Sequence, residues 1–212
     1  MSHPTFFPKE LHFENYSAVF QKFPMGRFML NSLIVTTACT IIQVITGVMA
    51  AGKSTTAEAL ALKLDKCVHL RGDVFRRMIS SGREEMSAAP SEEAVRQLHL
   101  RYRLTAEAAK TYFDGGFSVV VQDNYYGEAL PRMLRLLQGY PVEAVVLCPS
   151  LAAVKEREEK RAKTGYTGFS PEALYDAFLA ETPRVGFWLD NTSLSPAQAA
   201  DAILRRCAGV NG

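Results

Sequence analysis

Gly47, Gly52, Lys53 and Ser54 fall in the pattern G-x-x-x-x-G-K-[ST] within GVMAAGKST, residues 47–55. Each residue type has a chemical reason to be there. Glycine lets backbone N–H groups approach phosphate oxygens, and a helix starting at the end of the loop aims its positive dipole end at the same anion. In such a loop Gly47, Ala50, Ala51, Gly52, Lys53, Ser54 and Thr55 are the expected nucleotide-binding residues. Lys53 would contact the β and γ phosphates, and Ser54 would ligate Mg²⁺. ATP with Mg²⁺ is the expected cofactor pair.

A second reactive group stands in HLRGDVFRRM, residues 69–78, where Asp73 follows a short apolar run and Arg71-Gly72. A carboxylate at the end of a strand facing the phosphate loop can accept a hydroxyl proton. A helix N-cap is the plainer use of Asp73. Arg76, one helical turn on, is the expected holder of an anionic group or of the substrate, with Arg77 pointing elsewhere. Asp123 closes VVVQD where a carboxylate can support Mg²⁺ through water, or it begins a turn in DNYYG. Tyr125 and Tyr126 beside it are expected either to line a substrate pocket by stacking or to pack structurally.

KEREEKRAKTGYTGF, residues 155–169, offers Arg157 and Arg161 one turn apart, ahead of a glycine-containing turn. This is the composition of a lid closing over transferring phosphates. It also fits a solvated helix with i,i+4 pairs from Glu156 to Lys160 and from Glu159 to Lys163. The histidines, His3, His12, His69 and His99, have no metal-ligand spacing, and G-x-S-x-G is absent.

These groups need a scaffold, and the pattern of apolar runs supplies one. Residues 41–46, 67–70, 117–122, 142–148 and 187–190 read as strands separated by helical periodicity, which predicts an α/β parallel sheet with ligands at the strands' carboxyl ends. Helix starts are expected at Ser150, at Ser170-Pro171, and at Ser195, which forms a capping box with Gln198. Residues 81–93 read as a mobile loop. The chain has 212 residues, 48% of them hydrophobic, and a net charge of +2, which gives no reason to expect a nucleic acid partner. Cys39, Cys67, Cys148 and Cys207 lie far apart, as reduced thiols in a cytoplasmic protein would, and no secretion signal is read.

Residues 28–52 carry no charge, a length sufficient for a membrane span. Asn31, Ser32, Thr36, Thr37, Thr40, Gln43 and Thr46 weigh against that, and IIQVIT favours a buried strand. ENYSAVFQKFP and the run from Gly26 into that stretch resemble the early part of a sugar-type ABC transporter permease. The expected organisation is therefore a permease-like extension over residues 1–40, of chimaeric origin and a candidate homo-oligomer contact, followed by a catalytic domain over 41–212.

From about residue 41 to 210 the chain resembles small P-loop kinases of the chloramphenicol phosphotransferase, zeta toxin and gluconate kinase group, on GVMAAGKST, the Gly-Asp of HLRGDVFRRM, VVVQD, the basic lid candidate and WLDNTSLSPAQ. The resemblance implies a P-loop kinase fold with a five-stranded parallel sheet of order 2-3-1-4-5, ATP as donor, and Asp73 as the base. It places Asn191 and Thr192 near the adenine. The implied activity is transfer of the γ-phosphoryl group to a hydroxyl of a small molecule, an antibiotic or sugar-like metabolite. A zeta-toxin-like nucleotide-sugar kinase and a membrane-tethered nucleotide-binding protein without transfer activity are the alternatives.

Overall fold

The computed structural model describes residues 41–87, 89–160 and 170–210. Five strands form one sheet: β1 (Ile42–Gly47), β2 (Cys67–Arg71), β3 (Ser118–Gln122), β4 (Val142–Leu147) and β5 (Phe187–Leu189). Their order is β2-β3-β1-β4-β5 and every pairing is parallel, which is the expected sheet. β1 is central and buried along its whole length, paired to β3 on one side and β4 on the other. Apolar side chains on both faces of a strand make an uninterrupted hydrophobic run rather than an alternating one, which is why IIQVIT is legible as a strand. Among the described residues no helix is long and apolar enough to cross a membrane.

Seven helices are seen among the described residues: α1 (Lys53–Ala61), α2 (Asp73–Arg77), α3 (Glu92–Asp114), α4 (Ala129–Leu136), α5 (Leu151–Glu159), α6 (Pro171–Glu181) and α7 (Pro196–Val210). α1 packs on α7 and β3, α3 on α2, β2 and β3, and α5 on α6. Deep in the core, Gln43 Nε2 donates to Cys207 Sγ at 3.1 Å, tying β1 to α7.

The helix starts follow the sequence. The hydroxyls of Ser150 and Ser170 accept from the N–H groups of Ala153 and Ala173 at 3.3 and 3.0 Å. Ser195 N donates to Gln198 Oε1 at 2.9 Å and Gln198 N to Ser195 Oγ at 3.2 Å, a reciprocal box. The segment expected as a loop over 81–93 ends earlier, because Ser91 caps α3 by accepting from Ala94 N at 3.0 Å. Gln97 of α3 reaches back to it, accepting from Glu84 N and donating to Gly82 O. The proposed permease-like extension, Cys39, Arg161, Lys163 and the glycine-containing turn after them lie outside the described residues.

Candidate active site

β1 ends at Gly47, whose φ of +149° already disfavours a side chain, and a Cβ there would sit 2.5 Å from the Leu147 carbonyl oxygen. The absent side chain lets β1 close against β4 and turn sharply into the loop. Ala50 is held at φ 60°, a left-handed conformation uncommon outside glycine. α1 then begins after Gly52, which has no side chain to cap it, so the first-turn N–H groups open toward an anion rather than toward the protein's own hydroxyls.

Lys53 is buried and its Nζ donates to the carbonyls of Gly47 at 2.9 Å and Val48 at 2.6 Å. The ammonium is thus stored against the loop it serves. The opposite wall is also fastened to the loop. Ala51 O accepts from Asn191 Nδ2 at 2.8 Å and from Arg157 Nη1 at 3.3 Å, and Arg157 Nη2 donates to the carbonyls of Asn191 and Thr192 at 2.8 and 3.1 Å. Thr192 is itself bound to Asp190 and accepts from Ser150 N. Arg157 therefore staples α5 to the phosphate loop and to the segment after β5. The expected pair from Glu156 to Lys160 forms at 2.5 Å on the solvent side.

β2 and β3 run side by side, with Arg71 opposite Gln122, so Asp73 and Asp123 emerge from neighbouring strand ends. Asp73 is the first residue of α2, whose N-cap is Gly72 with no side-chain cap bond, so the cap reading of Asp73 does not hold. Its carboxylate pairs with Arg77 and lies 3.9 Å from Arg71 Nε. Asp123 is buried, with Oδ1 accepting from Arg101 Nη2 at 2.9 Å and from Asn124 N at 2.8 Å. Burial pushes its carboxyl above the usual range, and the Arg101 guanidinium opposes that rise. Gly72 has a steric reason to be glycine, since a Cβ would meet Asp123 Oδ2 at 2.2 Å.

Lys53, Ser54, Asp73, Asp123, Arg157 and Asn191 all face one cavity of about 600 Å³, also lined by Ala50, Gly52 and Thr55. That volume is within the usual range for a small-molecule site. Of the remaining loop residues, Gly47 and Ala51 act through their carbonyls. The residues fit a nucleotide with Mg²⁺. Asp123 Oδ2 is a buried oxygen without a hydrogen-bond partner, and with the Ser54 hydroxyl it offers the hard oxygen donors Mg²⁺ takes.

Three expectations are corrected. Tyr125 does not line the cavity. Its N–H donates to Thr46 Oγ1 at 2.9 Å, which folds the ring into the core 5.0 Å from Tyr102. Tyr126 packs edge-on to Phe178 at 5.7 Å and is likewise away from the cavity lining. Arg76 pairs with Glu85 of the segment that follows α2, while Arg77, expected to point away, lines the cavity and pairs with Asp73. Sequence reasoning missed Arg101. Its signal was an arginine in line with Ala94, Leu98, Thr105 and Ala109 on the buried stripe of α3, where a charge needs a partner.

Residues 42–184 match a family described as an AAA domain. The chain belongs to that family. Among curated proteins none matches it. The AAA domain also resembles solved structures in fold. A tunicamycin resistance protein of Deinococcus radiodurans is 18% identical at a TM-score of 0.61, over 78% of this chain and 94% of that one. An APS kinase of Mycobacterium tuberculosis, in complex with AMPPNP and APS, is 17% identical at 0.58, over 77% and 95%. A sugar kinase from Janibacter sp. HTCC2649 is 21% identical at 0.54, over 77% and 92%. Identities this low establish the P-loop kinase fold and no more.

Proposed function

We propose that this AAA domain is an ATP-dependent kinase that transfers the γ-phosphoryl group to a hydroxyl of a small molecule. One observation carries the reading: Asp73, the first residue of α2 just past β2, and Lys53, the first residue of α1 at the end of the phosphate loop, face the same cavity. The balance is R–OH plus ATP giving the phosphate ester, ADP and a proton, with the O–H bond broken as the new P–O bond forms. Asp73 orients the acceptor hydroxyl and takes its proton. Lys53 shifts its donors from the Gly47 and Val48 carbonyls to phosphate oxygens, where its charge counts most as the leaving group departs. Arg157 and Asn191 hold the loop to the wall on which the adenine would rest. Mg²⁺, held by Ser54 and, through water, by Asp123, would neutralise charge on the phosphates.

The names of the structural neighbours support an antibiotic or sugar-like acceptor, which is the class we assign. Residues 1–40 we read as a recruited permease-like segment outside the catalytic site, and the domain as acting in the cytoplasm. The reading is tested by incubating the full chain with MgATP and a panel of hydroxylated antibiotics and sugars. A phosphorylated product identified by mass spectrometry is the expected result, and ATP binding without any product would overturn it.

A further inference from the structure

The cavity's charges are unevenly committed. Arg157 is taken up by three carbonyls, Lys53 by the loop, and Asp123 by Arg101. What remains at the acceptor end is Arg71 and Arg77 on a single carboxylate, Asp73, leaving a surplus positive charge facing the cavity. Both guanidiniums are accessible, at 47% and 59% side-chain exposure, so a solute can reach them. The arrangement also works against the chemistry assigned to Asp73. Arg77 donates to Oδ2 of the carboxylate that must receive the proton and Arg71 Nε stands 3.9 Å from Oδ1, so the guanidiniums compete with a hydroxyl for the same group.

We propose that the acceptor carries an anionic group, a phosphate, sulfate or carboxylate, which takes Arg77 and Arg71 as its own partners and thereby releases Asp73 to the reacting hydroxyl. This rests on the phosphotransfer reading and names its substrate class. A guanidinium forms paired hydrogen bonds to an oxyanion as readily as to a carboxylate, so exchanging one for the other keeps its donors satisfied. The exchange joins selection to catalysis. A neutral alcohol leaves Arg77 on Asp73, while an anionic one opens the base as it docks. Arg71 and Arg77 are specificity-determining in this account, and Arg77 also sets the state of Asp73.

Sulfate serves as the probe, in two measurements on the full chain. In the first, protein saturated with Mg²⁺ and a non-hydrolysable ATP analogue is titrated with sulfate at constant ionic strength by calorimetry. A saturable site is expected, weakened about tenfold or more in Arg77→Gln, the loss of one charge-assisted contact. No saturable binding, or equal affinity in Arg77→Gln, overturns the proposal. In the second, hydrolysis of MgATP is followed with water as acceptor, giving ADP, inorganic phosphate and a proton. Sulfate should raise the wild-type rate several-fold, and Arg77→Gln should run at the raised rate without it. A wild-type rate that sulfate leaves unchanged overturns the release of Asp73. Failure of the kinase reading looks different: the analogue does not bind, and this is seen before sulfate is added. The calorimetric comparison of wild type and Arg77→Gln then still decides the anion subsite, because that substitution leaves the phosphate loop intact.

Discussion

Asp73 and Asp123 illustrate how two carboxylates at adjacent strand ends acquire different work from their surroundings. Asp73 is partly open and paired with exposed arginines, whereas Asp123 is enclosed and fastened by Arg101 and Asn124. Asp73→Asn should therefore keep its affinity for MgATP, measured by titration, while phosphoryl transfer falls by roughly 10²- to 10⁴-fold. Arg101→Met should strip the salt-bridge partner from a buried carboxylate, costing about 3–5 kcal/mol in denaturant unfolding. That loss has a predicted pH dependence. The carboxyl of Asp123 is raised by burial, so the folded variant binds its proton more readily than the unfolded chain does. The deficit of Arg101→Met should shrink as pH is lowered and widen toward neutrality, and a deficit independent of pH would contradict this assignment.

The elements were largely legible in the sequence, and the exceptions have a common physical origin. Buried parallel strands appear as apolar runs and their helices carry Ser caps, so all five strands and the starts at Ser150, Ser170 and Ser195 could be read locally. Tyr125 could not, because its position is decided by Thr46, remote in sequence, which turns the chain after β3 back into the core. Arg76 and Arg77 were confused because both can lie near Asp73 on a helix, and a loop residue, Glu85, settles which one does. Arg101 is 22 residues from its partner. Contact across the fold decides these cases; the stripe of α3 marks Arg101 as a charge in need of a partner but does not say which partner. At this scale Gly72→Ala is informative, because the added methyl group cannot coexist with Asp123 Oδ2 where it now stands. It should lower stability and weaken Mg²⁺-dependent nucleotide binding together, whereas Ser195→Ala, which removes a cap, should cost about 1 kcal/mol in thermal unfolding and leave binding unchanged.

At the scale of the whole described domain, one parallel sheet gathers Lys53, Asp73, Asp123 and Asn191 just beyond the ends of four strands, so nucleotide binding should consolidate the fold. At a MgATP concentration of 100 times Kd the gain is about 2.7 kcal/mol, read as a rise in Tm. Acid should act oppositely. Burial and the neighbouring Arg71 hold His69 of β2 below its ordinary value, so the unfolded chain takes up a proton more readily than the native one. Its contribution is complete above pH about 6.5 and is lost as pH falls through the lower folded-state value; replacing His69 with Asn should flatten that part of the stability profile. The most direct test of the central claim is mass spectrometry of acceptors incubated with the protein and MgATP, comparing wild type with Asp73→Asn. A phosphoryl group gained on a hydroxyl by wild type and not by the variant is the predicted result, and equal product from both proteins would contradict the account.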